Sequence, residues 1–344
     1  MWQHLLLVSL FLSLSRQVQS ADIKISLSDK SEDVLVSLMH DISKLLGIGH
    51  PSSPGPIDKE VTFSCRNRLS TGFQQVLLND ANVVRKLDFR KPVTFIIHGW
   101  NSSAKELHFQ NMARNYTRFV DSSVCLLDWS NLASYEYDIA ARQSLQMVVT
   151  YFSRFLGFLN LKGMDYGKIT LIGHSLGAQI SGLVGKSLSG SIGQIYALDP
   201  AGVLFTLPDD VGEKNRLAPT DAKYVQVIYT SKGELAMDVS AGQQNFWTNS
   251  NGEHPQPACE NVSKDKGMLT QYFDSLVCSH RISVLYFTAA LDPAVTFTMK
   301  RCKAYWMFKT GLCYFGQKDV LGIYAKRTAG DFYGDVALPY PYES

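Results

Sequence analysis

In Lys168-Ile169-Thr170-Leu171-Ile172-Gly173-His174-Ser175-Leu176-Gly177-Ala178-Gln179-Ile180-Ser181-Gly182-Leu183-Val184, three kinds of sequence meet. The apolar run reads as a buried strand, Gly-x-Ser-x-Gly as a turn, and the last seven residues as the start of a helix. A serine on so tight a strand-to-helix turn needs glycine on both sides, because a Cβ there would collide with strand or helix backbone. The turn lifts the Ser175 hydroxyl out of the sheet and aims it at a substrate. A bare Gly-x-Ser-x-Gly arises by chance in roughly one chain of this size in ten. The strand before it and the helix after it make Ser175 a candidate nucleophile.

Outward from this turn, apolar strands alternate with helical patterns. Pro92 to Ile97, Val124 to Asp128, Ile192 to Leu198 and Tyr224 to Tyr229 read as buried strands, and Ala104 to Val120 and Glu136 to Leu161 as helices. Such alternation predicts an α/β protein with a mostly parallel central sheet and helices on both faces. A chain of 344 residues suffices for one large domain of this kind.

A serine hydroxyl becomes reactive only when a base takes its proton, and the usual base is a histidine held by a carboxylate. With this kind of turn the partners follow the serine in the order acid, then histidine. Of the eight histidines, only His254 and His280 lie beyond the elbow strand and helix. His174 sits within the turn, its ring expected to point away from the nucleophile. His254 lies in a Gly/Asn/Pro-rich loop. His280 follows Cys278 and precedes an apolar helix, Ile282 to Ala290, so a disulfide would hold it still. Catalysis demands such fixity, and His280 is the preferred base. Asp199 ends the strand after the elbow helix, in Leu198-Asp199-Pro200-Ala201-Gly202, and is preferred as the acid over Asp221 and Asp238. Two backbone N–H groups must hold the developing oxyanion. Leu176 supplies one by its place after the serine. Trp100, in Phe95-Ile96-Ile97-His98-Gly99-Trp100, is the candidate for the other, with His98 ordering that loop.

The apolar run Leu5 to Leu14, followed by Val18-Gln19-Ser20, reads as a secretory signal over residues 1–20, cleaved after Ser20. It is far shorter than the ~20 residues of a bilayer span, and no transmembrane anchor is expected. Residues 21–60 form an N-terminal extension. Within it Ser31 to Leu46 has Val34, Leu35, Leu38 and Ile42 at helical spacing, and Gly47 to Pro56 is a linker. A disordered or loosely docked extension is the preferred reading over a pro-segment that shields the active site. Residues 61–344 then make the catalytic domain.

A formal charge of +2, from 33 basic and 31 acidic residues, argues against a nucleic-acid partner. Six cysteines fit an oxidising compartment. Short intervening loops favour Cys259–Cys278 and Cys302–Cys313. Cys65 and Cys125 remain, either as a third pair or with Cys125 as a buried free thiol. Without CxxC, and with scattered histidines, no metal site is expected. The sequons at Asn101, Asn115 and Asn261 suit a secreted surface.

Together, Phe95 to Ser103, Gly173 to Ala178, Leu198 to Gly202, Asp221 to Val225 and Cys278-Ser279-His280-Arg281 resemble the pancreatic (neutral) lipase family, especially its secreted insect lipase and phospholipase A1-like branch. The motifs run in family order from Val61 to the C-terminus. The resemblance implies an α/β-hydrolase fold, a triad of Ser175, Asp199 and His280, an oxyanion hole at Trp100 and Leu176, and hydrolysis of lipid carboxylic esters with no cofactor. It implies a lipid substrate at a membrane, micelle or droplet surface. The chain stops too early for the β-sandwich domain of many relatives, so no C-terminal β-sandwich and no helper protein are expected. Tyr229 stands where the family has histidine, and Asn245-Phe246-Trp247 where it has Asp-Phe-Tyr or Asp-Phe-Phe. The lid corresponds to Cys259–Cys278, with Met268, Leu269, Tyr272, Phe273, Leu276 and Val277 among charges. A second loop, Ser231 to Gln244, resembles the short form found in phospholipases and favours phospholipase A1-like activity. Triacylglycerol or galactolipid hydrolysis is the alternative, and a non-catalytic lipid carrier is disfavoured because serine and histidine both persist.

Overall fold

The long apolar runs become the middle of a sheet. In the computed structural model, which describes residues 31–45 and 52–338, the strands are β1 (Thr62–Arg66), β2 (Gln74–Val76), β3 (Val93–Ile97), β4 (Ser123–Asp128), β5 (Ile169–His174), β6 (Gln194–Leu198), β7 (Val225–Tyr229), β8 (Gln244–Thr248), β9 (Thr298–Arg301), β10 (Lys318–Val320) and β11 (Gly330–Gly334). They form one sheet in the order β10-β9-β11-β8-β7-β6-β5-β3-β4-β1-β2. The block from β11 to β4 is parallel throughout. Both flanks are antiparallel. The expected signal at 1–20 lies outside the described residues.

Strands covered on both faces lose the usual polar alternation, and β3, β5, β7 and β8 are buried at every position. The longer helices are α1 (Glu32–Leu45), α2 (Leu107–Phe119), α3 (Leu145–Leu161), α4 (Leu176–Ser187) and α5 (Met268–Ala289). Phe95 and Ile97 of β3 point into one core with Phe152 and Phe155 of α3; Ile96 points into the other with Phe109 of α2 and Phe287 of α5. The predicted α/β-hydrolase layering, helices on both faces of a mostly parallel sheet, is the observed one.

Three local differences matter for function. The stretch from Glu136 to Leu161, expected as one helix, starts at Tyr137 and carries a π-helical turn at Ala140–Ser144. The helix expected to start at Ile282 starts at Met268 and runs unbroken past Cys278 and His280, since no proline or glycine interrupts residues 268–290. Cys125 is not a free thiol. It sits directly opposite Cys65 in the β1–β4 ladder and is bonded to it. Cys259–Cys278 and Cys302–Cys313 pair as expected.

Candidate active site

Ser175 occupies the turn between β5 and α4 with φ 57° and ψ −123°, a conformation costly for any residue with a Cβ. The flanking glycines make that turn possible. A Cβ on Gly173 would stand 2.2 Å from the Gly177 carbonyl oxygen, and one on Gly177 would stand 2.2 Å from the Ile97 carbonyl oxygen. Gly99 brings the next loop against the serine: a Cβ there would be 2.7 Å from Ser175 Cβ and 3.2 Å from Oγ.

Asp199 follows β6 and is fully buried. Its Oδ1 accepts backbone N–H groups from Thr230 (2.6 Å) and Ser231 (3.1 Å), and Oδ2 accepts the Ser231 hydroxyl. Oδ2 also lies 2.6 Å from His280 Nδ1. A buried carboxylate needs this many donors to stay charged away from water. The parallel register leads here: β5, β6 and β7 all end at the same edge, so residues 175, 199 and 230 come together across the sheet.

His280 projects from the middle of α5, two residues beyond the Cys259–Cys278 bridge. Ser175 and His280 line one cavity with Trp100, Tyr137, His174, Val203, Leu235 and Val277. The ring of His174, expected to point away from the nucleophile, packs against His280 and lines the same cavity. Strand alternation places it with Ile172 on the face covered by α5. There its Nε2 lies 3.0 Å from the His280 carbonyl oxygen, and the two rings are 4.5 Å apart. Burial drives the His174 pKa well below the usual histidine value, so its ring is neutral.

The loop after β3 is braced from below. His98 is buried, its Nε2 accepts the Trp129 N–H (3.0 Å), and its ring stacks on Trp129. Nε2 also lies 3.2 Å from Asp128 Oδ1, and because the Gly99 carbonyl oxygen can only accept, Nδ1 carries a proton and donates to it (2.9 Å). The C=O and N–H of one trans peptide point in opposite directions, so holding the Gly99 carbonyl turns the Trp100 N–H away from His98. Neither the Trp100 nor the Leu176 N–H finds an acceptor among the described residues.

Two of the rejected candidates have other partners, whereas Asp238 Oδ1 is buried with no hydrogen-bond partner among the described residues. His254 Nδ1 sits 3.0 Å from Glu234 Oε2, both groups buried, and Tyr272 of the lid donates to Glu234 Oε1 at 3.2 Å. Asp221 pairs with Lys186 and accepts the Ala218 N–H. Tyr229 and Trp247, two apparent departures from the family pattern, are one contact: their rings stack at 3.7 Å, and the Tyr229 hydroxyl holds the Val239 carbonyl of the second loop at 2.7 Å. Of the sequon asparagines, Asn261 is exposed, whereas Asn101 and Asn115 are half-buried and Asn101 lines the cavity.

Sequence reading missed two features. Residues Met39 and Ile42 of α1 also line the cavity. Leu35, Met39 and Ile42 are buried, so the N-terminal segment is a docked helix rather than a loose extension. The helical spacing signalled the apolar stripe but not its destination.

Residues 50–334 match the Lipase family. Lipase member H of Oryctolagus cuniculus is 31% identical over 66% of this chain and 48% of its own length. Phospholipase A1 1 of Dolichovespula maculata is 30% identical over 72% of this chain and 80% of its own. Pancreatic triacylglycerol lipase of Mus musculus is 29% identical over 74% and 57%. The chain spans about half the length of the first of these relatives. With a match this long on a strand-serine-helix scaffold of this order, the chain belongs to the lipase family.

Proposed function

We propose that this chain is a secreted serine esterase that hydrolyses carboxylic esters of glycerolipids, with phospholipids as the preferred class. The observation that carries the reading is the 2.6 Å contact between His280 Nδ1 and the buried Asp199 carboxylate, beside a serine held on a strained turn. Asp199 fixes the tautomer with the proton on Nδ1, leaving Nε2 free to take the Ser175 proton. Ser175 Oγ then attacks the ester carbonyl, and the N–H groups of Trp100 and Leu176 hold the oxyanion. His280 returns the proton to the leaving alcohol. Water, activated by the same imidazole, cleaves the acyl-enzyme and restores Ser175.

Phospholipase A1-like specificity is supported by the short second loop, Ser231 to Gln244, and by the similarity to Phospholipase A1 1 of Dolichovespula maculata. Secretion is supported by three disulfides, and action on a lipid surface by Met268 and Leu269, exposed at the start of α5. No helix among the described residues is long and apolar enough to cross a membrane. Assays of the purified chain alone on phosphatidylcholine, galactolipid and triolein, side by side, test the substrate. Phosphatidylcholine is expected to be cleaved fastest; faster cleavage of triolein or galactolipid overturns the phospholipid assignment.

A further inference from the structure

Part of the cleft wall is built by α1. Leu35, Met39 and Ile42 fall at i, i+4 and i+7 of α1, forming one stripe, and are 0%, 4% and 3% exposed. Met39 and Ile42 are part of the wall of the cavity that contains Ser175 and His280. The other face of α1 carries the exposed Asp33 and Asp41. Two contacts tie the helix to residues 136–142: Glu32 pairs with Arg142, and His40 Nδ1 lies 3.7 Å from Glu136 Oε1. Both partners flank Tyr137, itself part of the cavity wall, and Arg142 lies in the π-helical turn, a distortion often found at functional sites.

With α1 seated, the cavity holds only about 80 Å³, against the ~300–1,000 Å³ of ordinary ligand sites. Tyr137, Val203, Leu235 and Val277 give the same lining an apolar part, as an acyl chain requires, alongside the polar Asn101, Ser102, His108 and Arg281. We infer that α1 is an intramolecular plug: Met39 and Ile42 occupy the acyl-chain part of the cleft, and the protein is latent until a lipid surface draws the helix away. An amphipathic helix with a narrow apolar stripe can exchange its buried site for a lipid interface without a chemical step. The exchange is a population shift, so the lipid must bind the displaced helix better than the cleft does. This inference rests on Ser175 being the nucleophile.

The test compares the full chain with its Met39→Asp/Ile42→Asp and milder Met39→Ala/Ile42→Ala variants, with folding verified by near-ultraviolet circular dichroism. The rate of labelling by a small fluorophosphonate is followed in buffer and with phosphatidylcholine vesicles. The aspartate variant is expected to label at least tenfold faster than the parent in buffer, with the alanine variant between them. Vesicles should accelerate the parent strongly and the aspartate variant little. Hydrogen exchange of the amides of residues 32–45 is read in parallel, because it does not depend on chemistry at Ser175. Those amides should exchange at least tenfold faster in the aspartate variant. Equal labelling rates in the parent and both folded variants, or unchanged exchange in the aspartate variant, overturn the plug. Label on a residue other than Ser175, with exchange behaving as expected, refutes the catalytic assignment and leaves the plug standing.

Discussion

Replacing Asp199 with asparagine should abolish turnover through a proton placed on the wrong nitrogen, and the hydrogen bonds of the site say why. Oδ1 faces the backbone N–H groups of Thr230 and Ser231, which can only donate. In Asp199→Asn the amide oxygen must take that position, because an NH₂ there would meet two donors in a fully buried site. The NH₂ is thereby turned to the place of Oδ2, 2.6 Å from His280 Nδ1. Nδ1 must then accept, the imidazole proton moves to Nε2, and the nitrogen proposed to relieve Ser175 of its proton becomes a donor that cannot take one. Loss of the correct tautomer in a triad of this kind costs about 10⁴-fold in kcat, about 5 kcal/mol of transition-state stabilisation. The fold should survive, since both backbone donors keep their acceptor and the Ser231 hydroxyl can rotate to accept from the amide. Steady-state hydrolysis of p-nitrophenyl butyrate by parent and variant, with thermal melts for both, measures the two effects. A folded variant that keeps more than a tenth of the parent's kcat refutes the reasoning.

His98→Phe should preserve the stack on Trp129 but release the Gly99 carbonyl and strand the buried Trp129 N–H. We expect kcat to fall by about 10- to 100-fold, below the 10²–10³ of losing an oxyanion donor outright, with KM little changed and stability lower by about 1–3 kcal/mol; an unchanged kcat contradicts the bracing role. Replacing Cys65 and Cys125 together by serine should cost about 4 kcal/mol, because their bridge closes a 60-residue separation; a denaturant midpoint within error of the parent refutes this. Arg216 is only 6% exposed and donates to both Asp210 oxygens, at 2.6 and 2.7 Å. That pairing holds the Asp210 pKa below the usual carboxylate value. A depressed folded pKa adds stability above the unfolded pKa, about 3.9, and loses it as pH falls through the folded value. Asp210→Asn should therefore lower stability by about 1 kcal/mol at neutral pH, after allowance for the partial exposure of Asp210. The gap should close below about pH 4; a gap independent of pH contradicts the assignment.

Much of the fold was legible because a parallel sheet covered on both faces writes itself as continuous apolar runs. Residues 92–97, 168–172 and 192–198 could be placed for that reason, and with them Ser175 and Asp199, which sit at strand ends. The short strands outside those apolar runs were not legible. Gln74–Val76, Lys318–Val320 and Gly330–Gly334 are short, part-polar segments whose pairing is settled only by their neighbours. The start of α5 was misplaced because the polar cluster Cys278-Ser279-His280-Arg281 looks like a boundary, while backbone geometry offers no reason to stop there. The tie between the Ser231–Gln244 loop and the lid, through Glu234, His254 and Tyr272, depends on residues far apart in sequence. The seat of α1 was hidden for the same reason. A helix stripe announces that it will be buried, and its partner more than a hundred residues away leaves no local mark. The brace from His98 to the Gly99 carbonyl was half visible: its position before the elbow suggested a structural histidine, while the direction of the peptide required coordinates.

The central claim is that the Ser175 oxygen, relieved of its proton by His280, becomes covalently bonded to the acyl group of the substrate. Acid quench of the parent and of Ser175→Ala during turnover of a slow ester, followed by peptide mass spectrometry, measures this directly. An acyl group on Ser175 in the parent, none anywhere in Ser175→Ala, and little accumulation in His280→Ala are the expected results. Acylation of another side chain, or undiminished turnover by a folded Ser175→Ala protein, would contradict the account.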